Sequence, residues 1–312
     1  FINKSNVRGP VISAEAAVAP THAFSDFQIS EKLKKNIASR GYVTPTPIQD
    51  QAIPQILVGR DVVGIANTGT GKTGAFLIPL IHKASLDRLF KVLIIAPTRE
   101  LAVQIRDELV DFSQGFGIDS VLCIGGVGIF PQAQRLMRNP QFVIGTPGRL
   151  RDLEGSRKLN YSNFKAIVLD EVDRMLDIGF VAEIKHIISS LPQNRHSLFF
   201  SATLTPEVQE IMRGFLNNPV TVSVKIVDNL TNVHQEIIKV NGRSKVEVLQ
   251  ELLSKPEFSK VLVFGRTKHG MEKLARDLSA RGFRVASIHG NKSQSQRQRA
   301  LDDFKSNQVQ VL

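Results

Sequence analysis

Short strand-like runs alternate with amphipathic helical stretches from about residue 60 onward, and this alternation limits the possible folds more than any other feature. A strand–helix–strand order at this spacing predicts right-handed crossovers and a parallel sheet flanked by helices. Ligands of such sheets bind beyond the carboxyl ends of the strands, so the polar residues that end each run are functional candidates. The runs are DVVGIA (61–66), KVLIIAP (91–97), SVLCIGG (120–126), QFVIGTP (141–147), KAIVLDE (165–171) and SLFFSAT (197–203).

The alternation lapses near PVTVSVKIVDNLTNVHQ (219–235), which predicts a linker between two α/β domains. A second series follows, and Gly282 is expected just past the C-terminus of one of its helices. The strands predicted there are EIIKV (236–240), KVLVFG (260–265) and FRVASIHG (283–290). The predicted organisation is a flexible leader over 1–21, a first domain over 22–222, a linker over 223–233 and a partial second domain over 234–312.

The charge balance favours a polyanionic partner. The 312 residues carry 40 Lys and Arg against 29 Asp and Glu, a formal net charge of +11, which suits nucleic acid or an anionic membrane surface. No apolar run approaches the roughly 18 residues needed to cross a bilayer, which argues against an integral membrane protein. The single cysteine, Cys123, excludes an intrachain disulfide and a cysteine-based metal cluster, and it fits a reducing compartment.

The glycine-rich stretch ANTGTGKT (66–73) follows a predicted strand and precedes a helix-compatible run, as a phosphate-binding loop requires. Gly69 and Gly71 let backbone N–H groups turn toward phosphate oxygens. Lys72 can reach the terminal phosphates, and Thr73 can ligate a metal ion. The alternative is a glycine-rich turn that binds nothing, and the strand-to-helix setting makes it the weaker interpretation.

Three carboxylates, those of Asp170, Glu171 and Asp173, follow the apolar run that ends at Leu169. Like charges this close repel one another and resist desolvation, so the arrangement favours a bound cation or a proton-transfer role. Together with Thr73, Asp170 is predicted to hold Mg²⁺, and Glu171 to orient or deprotonate an attacking water. The alternative is a solvated turn or a helix N-terminus, which would be preferred without the glycine-rich loop.

A candidate adenine site lies upstream, in GYVTPTPIQ (41–49) together with Phe24. The Gln49 amide can bond the donor and the acceptor on one edge of adenine, and the ring of Phe24 can stack on its face. Taken alone, PTPIQ is a proline-rich turn that enters a helix, and that interpretation would be preferred without the neighbouring motifs.

From about residue 22 to the C-terminus, these and further motifs resemble the DEAD-box RNA helicases of helicase superfamily 2. Nine elements in the family's order are far more specific than any one of them. DEVD departs from the family's tetrapeptide at Val172, which replaces an alanine, and neither side chain can bind a metal. The elements are the Q motif (Phe24 and 41–49), ANTGTGKT (66–73), PTRELA (97–102), Gly125 with Gly126, TPGR (146–149), DEVD (170–173), SAT (201–203), VLVFGRTK (261–268) and QxxR (Gln294 to Arg297).

The resemblance implies an α/β chain with two RecA-like domains of the P-loop NTPase fold, which uses ATP and Mg²⁺. It implies that Asp173 bonds to the SAT segment through Ser201 and Thr203, and so links the nucleotide state to domain closure. The implied catalytic residues are Lys72, Asp170, Glu171, Asp173, Ser201 and Thr203, and the implied metal ligands are Thr73 and Asp170. The implied ATP-binding residues are Phe24, Gln49, Ala66, Asn67, Thr68, Gly69, Thr70, Gly71, Lys72 and Thr73, with Ala66 where the generic loop has glycine.

RNA is the partner that the resemblance implies, bound largely without regard to its sequence. Backbone N–H groups, small hydroxyls and arginines suit contacts to phosphates and 2′-hydroxyls that do not read bases. The alternatives are an ordinary turn for TPGR and a packed or solvated side chain for His289. The implied RNA-binding residues are Pro97, Thr98, Arg99, Gly126, Thr146, Gly148, Arg149, Arg266, Thr267, Gly290 and Arg297.

Two further family motifs, resembling ATDxxxRGxD and HRxGRxGR, are not found in this sequence. In the family, the second of these motifs supplies arginines that stabilise charge on the transferred phosphate. If this sequence is the complete polypeptide, we expect an incomplete second domain and weak hydrolysis, because losing an arginine finger can cost about 10³ or more in rate. The expected parent is a cytoplasmic ATP-dependent RNA helicase that couples ATP binding and hydrolysis to RNA clamping and local duplex unwinding. Protein cofactors are left open, and no membrane partner is expected. The alternatives are an RNA clamp that binds ATP without turnover and a superfamily 2 DNA helicase.

Overall fold

The computed structural model describes residues 11–14, 20–224 and 234–312, with the main chain alone at 11–14. The chain divides into two compact units, Phe1–Asp228 and Asn229–Leu312. This division falls within the predicted linker over 223–233, of which residues 225–233 lie outside the described residues.

A parallel sheet of eight strands forms the centre of the first unit among the described residues. The strands are β1 (Val11–Ala14), β2 (Val62–Ile65), β3 (Val92–Ile95), β4 (Ser120–Cys123), β5 (Phe142–Gly145), β6 (Ala166–Leu169), β7 (His196–Ser201) and β8 (Val220–Val224). Their order is β1-β8-β2-β7-β6-β3-β5-β4, and the six runs predicted in this unit form β2 to β7. Strands β3, β5, β6 and β7 are buried along their whole length, as a sheet covered on both faces requires.

Helices cover both faces of this sheet. They are α1 (Glu31–Ser39), α2 (Pro47–Leu57), α3 (Lys72–Leu86), α4 (Arg99–Phe112), α5 (Ile129–Leu136), α6 (Pro147–Gly155), α7 (Val172–Ile178), α8 (Val181–Ser190) and α9 (Pro206–Phe215). Successive strand residues alternate between two apolar cores, so Val62 packs with α1 to α4 and Val63 packs with α5 to α9. None of the helices in the described part of the chain is long and apolar enough to cross a bilayer.

The carboxyl ends of the strands meet at one edge of the sheet, because all of the strands run parallel. The glycine-rich loop follows β2, Asp170 follows β6, and Ser201 ends β7. Since β7 lies between β2 and β6, a single strand separates the loop from the acidic residues. The sheet order thus brings together three segments that are far apart in the sequence.

Asp61 and His196 fasten the opposite edge of the sheet. The Asp61 carboxylate accepts hydrogen bonds from the backbone N–H groups of Ser197 and Asn217, each at 2.8 Å. The His196 ring donates from Nε2 to the carbonyl oxygen of Arg60 at 2.7 Å. Burial lowers the pKa of His196 to about 4, so the ring is neutral in the folded protein at neutral pH.

The second unit contains three helices among its described residues, α10 (Lys245–Leu253), α11 (Lys268–Ala280) and α12 (Gln294–Lys305). Its strand-like segments pair there through isolated parallel bridges of Val311 with Val261 and with Val285. A small apolar core forms around Leu278 and Val311. Gly282 follows α11 with a φ of 88°, which confirms the position predicted for it.

Two predictions around the linker are wrong. The segment 219–235, predicted to be a linker, begins with strand β8, which pairs with β1 and β2. In β8 only Val220 and Val222 are fully buried, and this period of two differs from the uniformly apolar runs of the central strands. The run EIIKV (236–240) forms no strand in the described structure, where Ile237 is 94% exposed without a sheet neighbour.

The predicted flexible leader also differs from the structure in part. Within it, Val11–Ala14 forms β1 and pairs in parallel with β8. An extended segment beside a sheet edge gains main-chain hydrogen bonds that the edge offers. Thr21 is fixed as well, since its hydroxyl donates to Asp50 Oδ2 at 3.0 Å. Residues 1–10 and 15–19 lie outside the described residues.

Replacing His196 by Gln should reduce the loss of stability that the protein suffers as the pH falls. The folded-state pKa of about 4 lies below the ordinary 6.5, so the unfolded chain binds a proton first as the pH falls. This ring therefore costs the wild type about 2 kcal/mol of unfolding free energy between pH 7.5 and pH 5. Gln keeps a donor for Arg60 but does not titrate. Urea unfolding at pH 7.5 and pH 5 measures how much unfolding free energy each protein loses on acidification, and the loss should be smaller in His196→Gln. An equal loss in both proteins would contradict the lowered pKa of His196.

Candidate active site

The loop from Ala66 to Gly71 connects β2 to α3 and has the backbone form of an anion cradle. Gly69 and Gly71 adopt φ values of 79° and 93°, in the left-handed region that favours glycine. Lys72 begins α3 and is buried, and its Nζ donates to the carbonyl oxygen of Ala66 at 2.8 Å. The ammonium thus lies inside the loop, where phosphate oxygens can reach it. Asn67, Thr68 and Gly69 are exposed, Thr70 is buried, and Thr73 is half-buried.

Gln49 joins this loop to α2. Its Nε2 donates to the carbonyl oxygen of Gly71 at 3.0 Å, and its Oε1 accepts from the backbone N–H of Thr46 at 3.0 Å. A Cβ on Gly71 would lie 2.6 Å from Gln49 Nε2, so only glycine fits there without a shift. Both ends of the amide hold the protein's own backbone, and the adenine contact of Gln49 stays a prediction.

Phe24 lies in the apolar core with 6% of its surface exposed. The rings of Phe27 and Tyr42 pack edge-on against it, with centroids 5.9 Å and 6.2 Å away. Most of the ring is thus covered by neighbouring aromatic side chains, and its stacking on adenine stays a prediction.

Asp50 is a residue of this region that sequence reasoning missed. Its buried carboxylate accepts from the backbone N–H groups of Thr21 and His22 at 3.0 Å, and it contacts His22 Nδ1 at 2.7 Å. These bonds fix the segment before Phe24 next to the first turn of α2. The only sequence signal was a carboxylate directly after Gln49.

Asp170 and Glu171 follow β6 at the same edge of the sheet. Asp170 is 2% exposed, and its burial raises its pKa to about 7, against the opposing effect of the Lys72 charge. Among the described residues, Asp170 Oδ1 has no hydrogen-bond partner. A buried carboxylate oxygen without a partner has the chemistry of a cation ligand.

Glu171 has a strained backbone at the N-terminus of α7, with φ 52° and ψ 54°. Residues other than glycine rarely adopt this conformation, and such strain is concentrated at functional sites. The carboxylate is buried, and its Oε2 accepts from Arg174 Nη1 at 3.2 Å. The backbone and this guanidinium together orient the side chain next to Asp170.

Asp173 connects the acidic residues to the end of β7. Its Oδ2 accepts from the backbone N–H groups of Ala202 and Thr203 at 3.2 Å and 3.0 Å, and from the Thr203 hydroxyl at 3.0 Å. The backbone N–H of Asp173 donates to Ser201 Oγ at 3.4 Å. These are the contacts expected between DEVD and SAT.

The residues of the first unit that were assigned to RNA follow β3, β4 and β5. Arg149 Nη1 donates to the carbonyl oxygen of Val127 at 2.9 Å. The Arg99 guanidinium lies against Gly125 and Gly126, since a Cβ on Gly126 would overlap it. Both arginines therefore contact the loop between β4 and α5, which contains Gly125, Gly126 and Val127. Pro97 and Thr146 are buried, Thr98 and Gly148 are half-buried, and Gly126 is exposed.

Of the residues of the second unit that are predicted to bind RNA, some contact the protein itself and others are exposed. The Thr267 hydroxyl accepts from the backbone N–H of Gly270 at 3.1 Å and so caps α11. His289 Nε2 lies 3.0 Å from Glu272 Oε2, which favours the packed alternative for this ring. Their contacts with RNA stay predictions. Arg266 and Gly290 are exposed, and Arg297 is half-buried.

The donors at the first-unit site fit a magnesium ion better than a protein-built metal cage. In the described residues, no group of three or more His, Cys, Asp or Glu could hold a metal. Mg²⁺ typically uses one or two protein ligands and completes its shell with water and phosphate oxygens. The Thr73 hydroxyl and the Asp170 carboxylate are donors of this kind.

A glycine-rich loop after β2, a buried lysine at the start of α3 and acidic residues after β6 define a P-loop nucleotide-binding protein of the RecA-like α/β class. Family models agree with this class: DEAD/DEAH box helicase matches residues 46–211, and Helicase conserved C-terminal domain matches residues 244–312. The chain belongs to the DEAD/DEAH box helicase family.

Curated relatives extend the likeness over almost the whole chain. ATP-dependent RNA helicase CshA of Limosilactobacillus reuteri is 38% identical over 291 residues, and DEAD-box ATP-dependent RNA helicase CshA of Bacillus subtilis is 39% identical over 294. The matches cover 93% and 94% of this chain but 59% and 60% of the relatives. The crystal structure of a DEAD box protein from Methanococcus jannaschii is 33% identical with a TM-score of 0.63, and the match covers 93% of this chain and 79% of that one.

Replacing Gly71 by Ala should weaken nucleotide binding by about tenfold or more. A φ of 93° strains any L residue, and the new Cβ would meet Gln49 Nε2 and Thr46 Oγ1, so either the loop or the Gln49 amide that holds it must shift. Gly179→Ala is the matched control, because Gly179 has a φ of 97° and its added Cβ meets nothing within 4 Å. Titration with a fluorescent ADP measures both variants. Unchanged affinity in Gly71→Ala would contradict the role of the loop.

Proposed function

We propose that this chain is the nucleotide-binding and RNA-binding part of an ATP-dependent RNA helicase, which couples ATP turnover to RNA clamping and local duplex unwinding. The observation that carries the proposal is the convergence of the buried Lys72 ammonium with the buried Asp170 and Glu171 carboxylates at one edge of the sheet. The relatives named as RNA helicases and the net charge of +11 support RNA as the partner.

The phosphates of ATP bind to the backbone N–H groups of the glycine-rich loop and to Lys72. Bound Mg²⁺, held by Thr73 and Asp170, would neutralise charge on the phosphate oxygens. Glu171, oriented by Arg174, positions the attacking water and accepts its proton. Gln49 bonds the adenine edge, and the same residue ties α2 to the loop.

The hydrogen bonds of Asp173 transmit the state of the nucleotide site to the segment after β7. Asp173 is two residues from Glu171, and its carboxylate holds Ala202 and Thr203 through three hydrogen bonds. A shift of the acidic residues on phosphate release therefore moves this segment as well. We assign to this coupling the link between ATP turnover and RNA affinity.

RNA phosphates lie along the residues that follow β3, β4 and β5. Arg99 and Arg149 supply positive charge, and Thr98 and Thr146 lie at helix N-termini, where backbone N–H groups favour anions. Such contacts do not read bases, so binding is largely independent of sequence and weakens as salt rises.

Replacing Glu171 by Gln should lower RNA-stimulated ATP turnover by about 10² or more and leave ATP-analogue binding nearly intact, because Gln cannot accept the proton of water. Lys72→Ala should lose both turnover and binding. Phosphate release is measured with and without single-stranded RNA for this chain. The same assay is run on the natural protein if its sequence is longer than this chain.

The outcomes separate the candidate functions. Wild-type rates of ATP turnover in Glu171→Gln would contradict the proposal. ATP turnover that RNA does not stimulate in the natural protein would contradict it as well. RNA and ATP binding without turnover in any form would favour a non-catalytic clamp. Preference for single-stranded DNA in a competition assay would favour a DNA helicase.

A further inference from the structure

An exposed apolar patch lies at the start of α5 and has no role in the proposed function. It consists of Val127, Ile129 and Phe130, which are 45%, 40% and 70% exposed. We call these three residues the Phe130 patch. A large exposed aromatic ring among apolar neighbours is typical of a surface that contacts a partner.

The loop that carries the patch is held in place by a buried amide. Gln132 is 5% exposed, and its Oε1 accepts from the backbone N–H of Ile124 at 3.1 Å. Its Nε2 donates to the carbonyl oxygens of Ile124 and Gly128 at 3.0 Å and 3.2 Å. Phe130 therefore projects from an ordered backbone, so a partner need not order the loop on binding.

The same loop contacts the two arginines that we assign to RNA phosphates. Arg149 donates to the carbonyl oxygen of Val127, which is itself a member of the patch. Arg99 lies against Gly126, the residue before Val127. The patch is thus continuous with the phosphate-binding side chains.

The charge of the surrounding sequence fits a polyanion. Between Asp119 and Asp152 the sequence contains no acidic residue. All of the charged residues in that interval are arginines, namely Arg135, Arg138, Arg149 and Arg151. Arg149 lies 3.6 Å from Asp152 and Arg151 lies 3.8 Å from Glu183, whereas Arg135 and Arg138 are exposed on α5 and just after it. An exposed aromatic ring on a helix with exposed arginines suits nucleic acid, because each nucleotide offers a phosphate and the flat face of a base.

We propose that Phe130 stacks on a base of single-stranded RNA whose phosphates contact Arg99 and Arg149. This inference rests on the proposed function and adds a base contact to a surface otherwise assigned to the backbone. Every base has a stacking face, so the contact is tolerant of sequence. Bases in a duplex are stacked on each other, so the contact favours single strands.

The first test compares Phe130→Ala with the wild type in binding to a labelled oligouridylate, measured by fluorescence anisotropy. We expect about fivefold or greater weakening, the usual effect of removing one stacking ring. Met137→Ala is the matched control, because Met137 is 78% exposed at the other end of α5. Phe130→Tyr should restore binding, and an abasic ribose-phosphate oligomer should bind the wild type and Phe130→Ala equally.

A second test uses the fact that the chain contains no tryptophan. In Phe130→Trp the only indole lies at the proposed contact, and its emission should be quenched when oligouridylate binds. Met137→Trp should show little change. This measurement reports base contact directly, even if Phe130→Ala alters the fold.

The two levels of the proposal fail differently. If the wild type binds no RNA, both the proposed function and the stacking contact fail. If the wild type binds RNA, two results would contradict the stacking contact alone. One is that Phe130→Ala binds oligouridylate as tightly as the wild type, and the other is that it loses affinity for the abasic oligomer as much as for oligouridylate. If Phe130→Ala binds as tightly as the wild type and the emission of Phe130→Trp is unchanged by oligouridylate, the Phe130 patch is better explained as a contact for a protein partner.

Discussion

The burial of opposite charges at one edge of an apolar sheet is the constraint on which the rest of this molecule depends. Lys72 and Asp170 are 6% and 2% exposed, and removing such groups from water is costly. Lys72 is compensated by the carbonyl oxygen of Ala66. Asp170 is compensated only in part, since burial outweighs the Lys72 charge and raises its pKa. This residual imbalance is what a magnesium ion would relieve.

Every other element of the site is fastened to this edge. Gln49 connects α2 to the glycine-rich loop, and Asp173 connects the acidic residues to the end of β7. Strand β7 lies between β2, which precedes the loop of Lys72, and β6, which precedes Asp170, so the end of β7 lies next to both segments. A change at the phosphate-binding edge therefore reaches several loops at once.

Local patterns predicted the part of the fold that local chemistry determines. The apolar runs of β3, β5, β6 and β7 are buried on both faces, and the glycine-rich loop needs left-handed backbone, so both leave clear signals. Strand β8 is less uniformly apolar, so its sequence predicts a linker rather than a strand. EIIKV has the composition of a strand, but a strand also needs a neighbour, and pairing is not a local property.

The supports of the site were harder to predict, because their partners are distant in sequence. Asp61 bonds to Ser197 and Asn217, which are 136 and 156 residues away, and no motif relates them. The Gln49 amide was assigned to a ligand, yet it holds Gly71, 22 residues away. The contact between Asp173 and the SAT segment was expected from the family resemblance rather than from any local pattern.

The most direct measurement is the effect of Mg²⁺ on the binding of a non-hydrolysable ATP analogue, titrated calorimetrically in the wild type and in Asp170→Asn. We expect Mg²⁺ to strengthen binding to the wild type by about tenfold or more and to have little effect on the variant, because the amide is a much poorer ligand. Equal strengthening in both proteins would contradict the assignment of Asp170, and with it the reason that this carboxylate is buried beside Lys72.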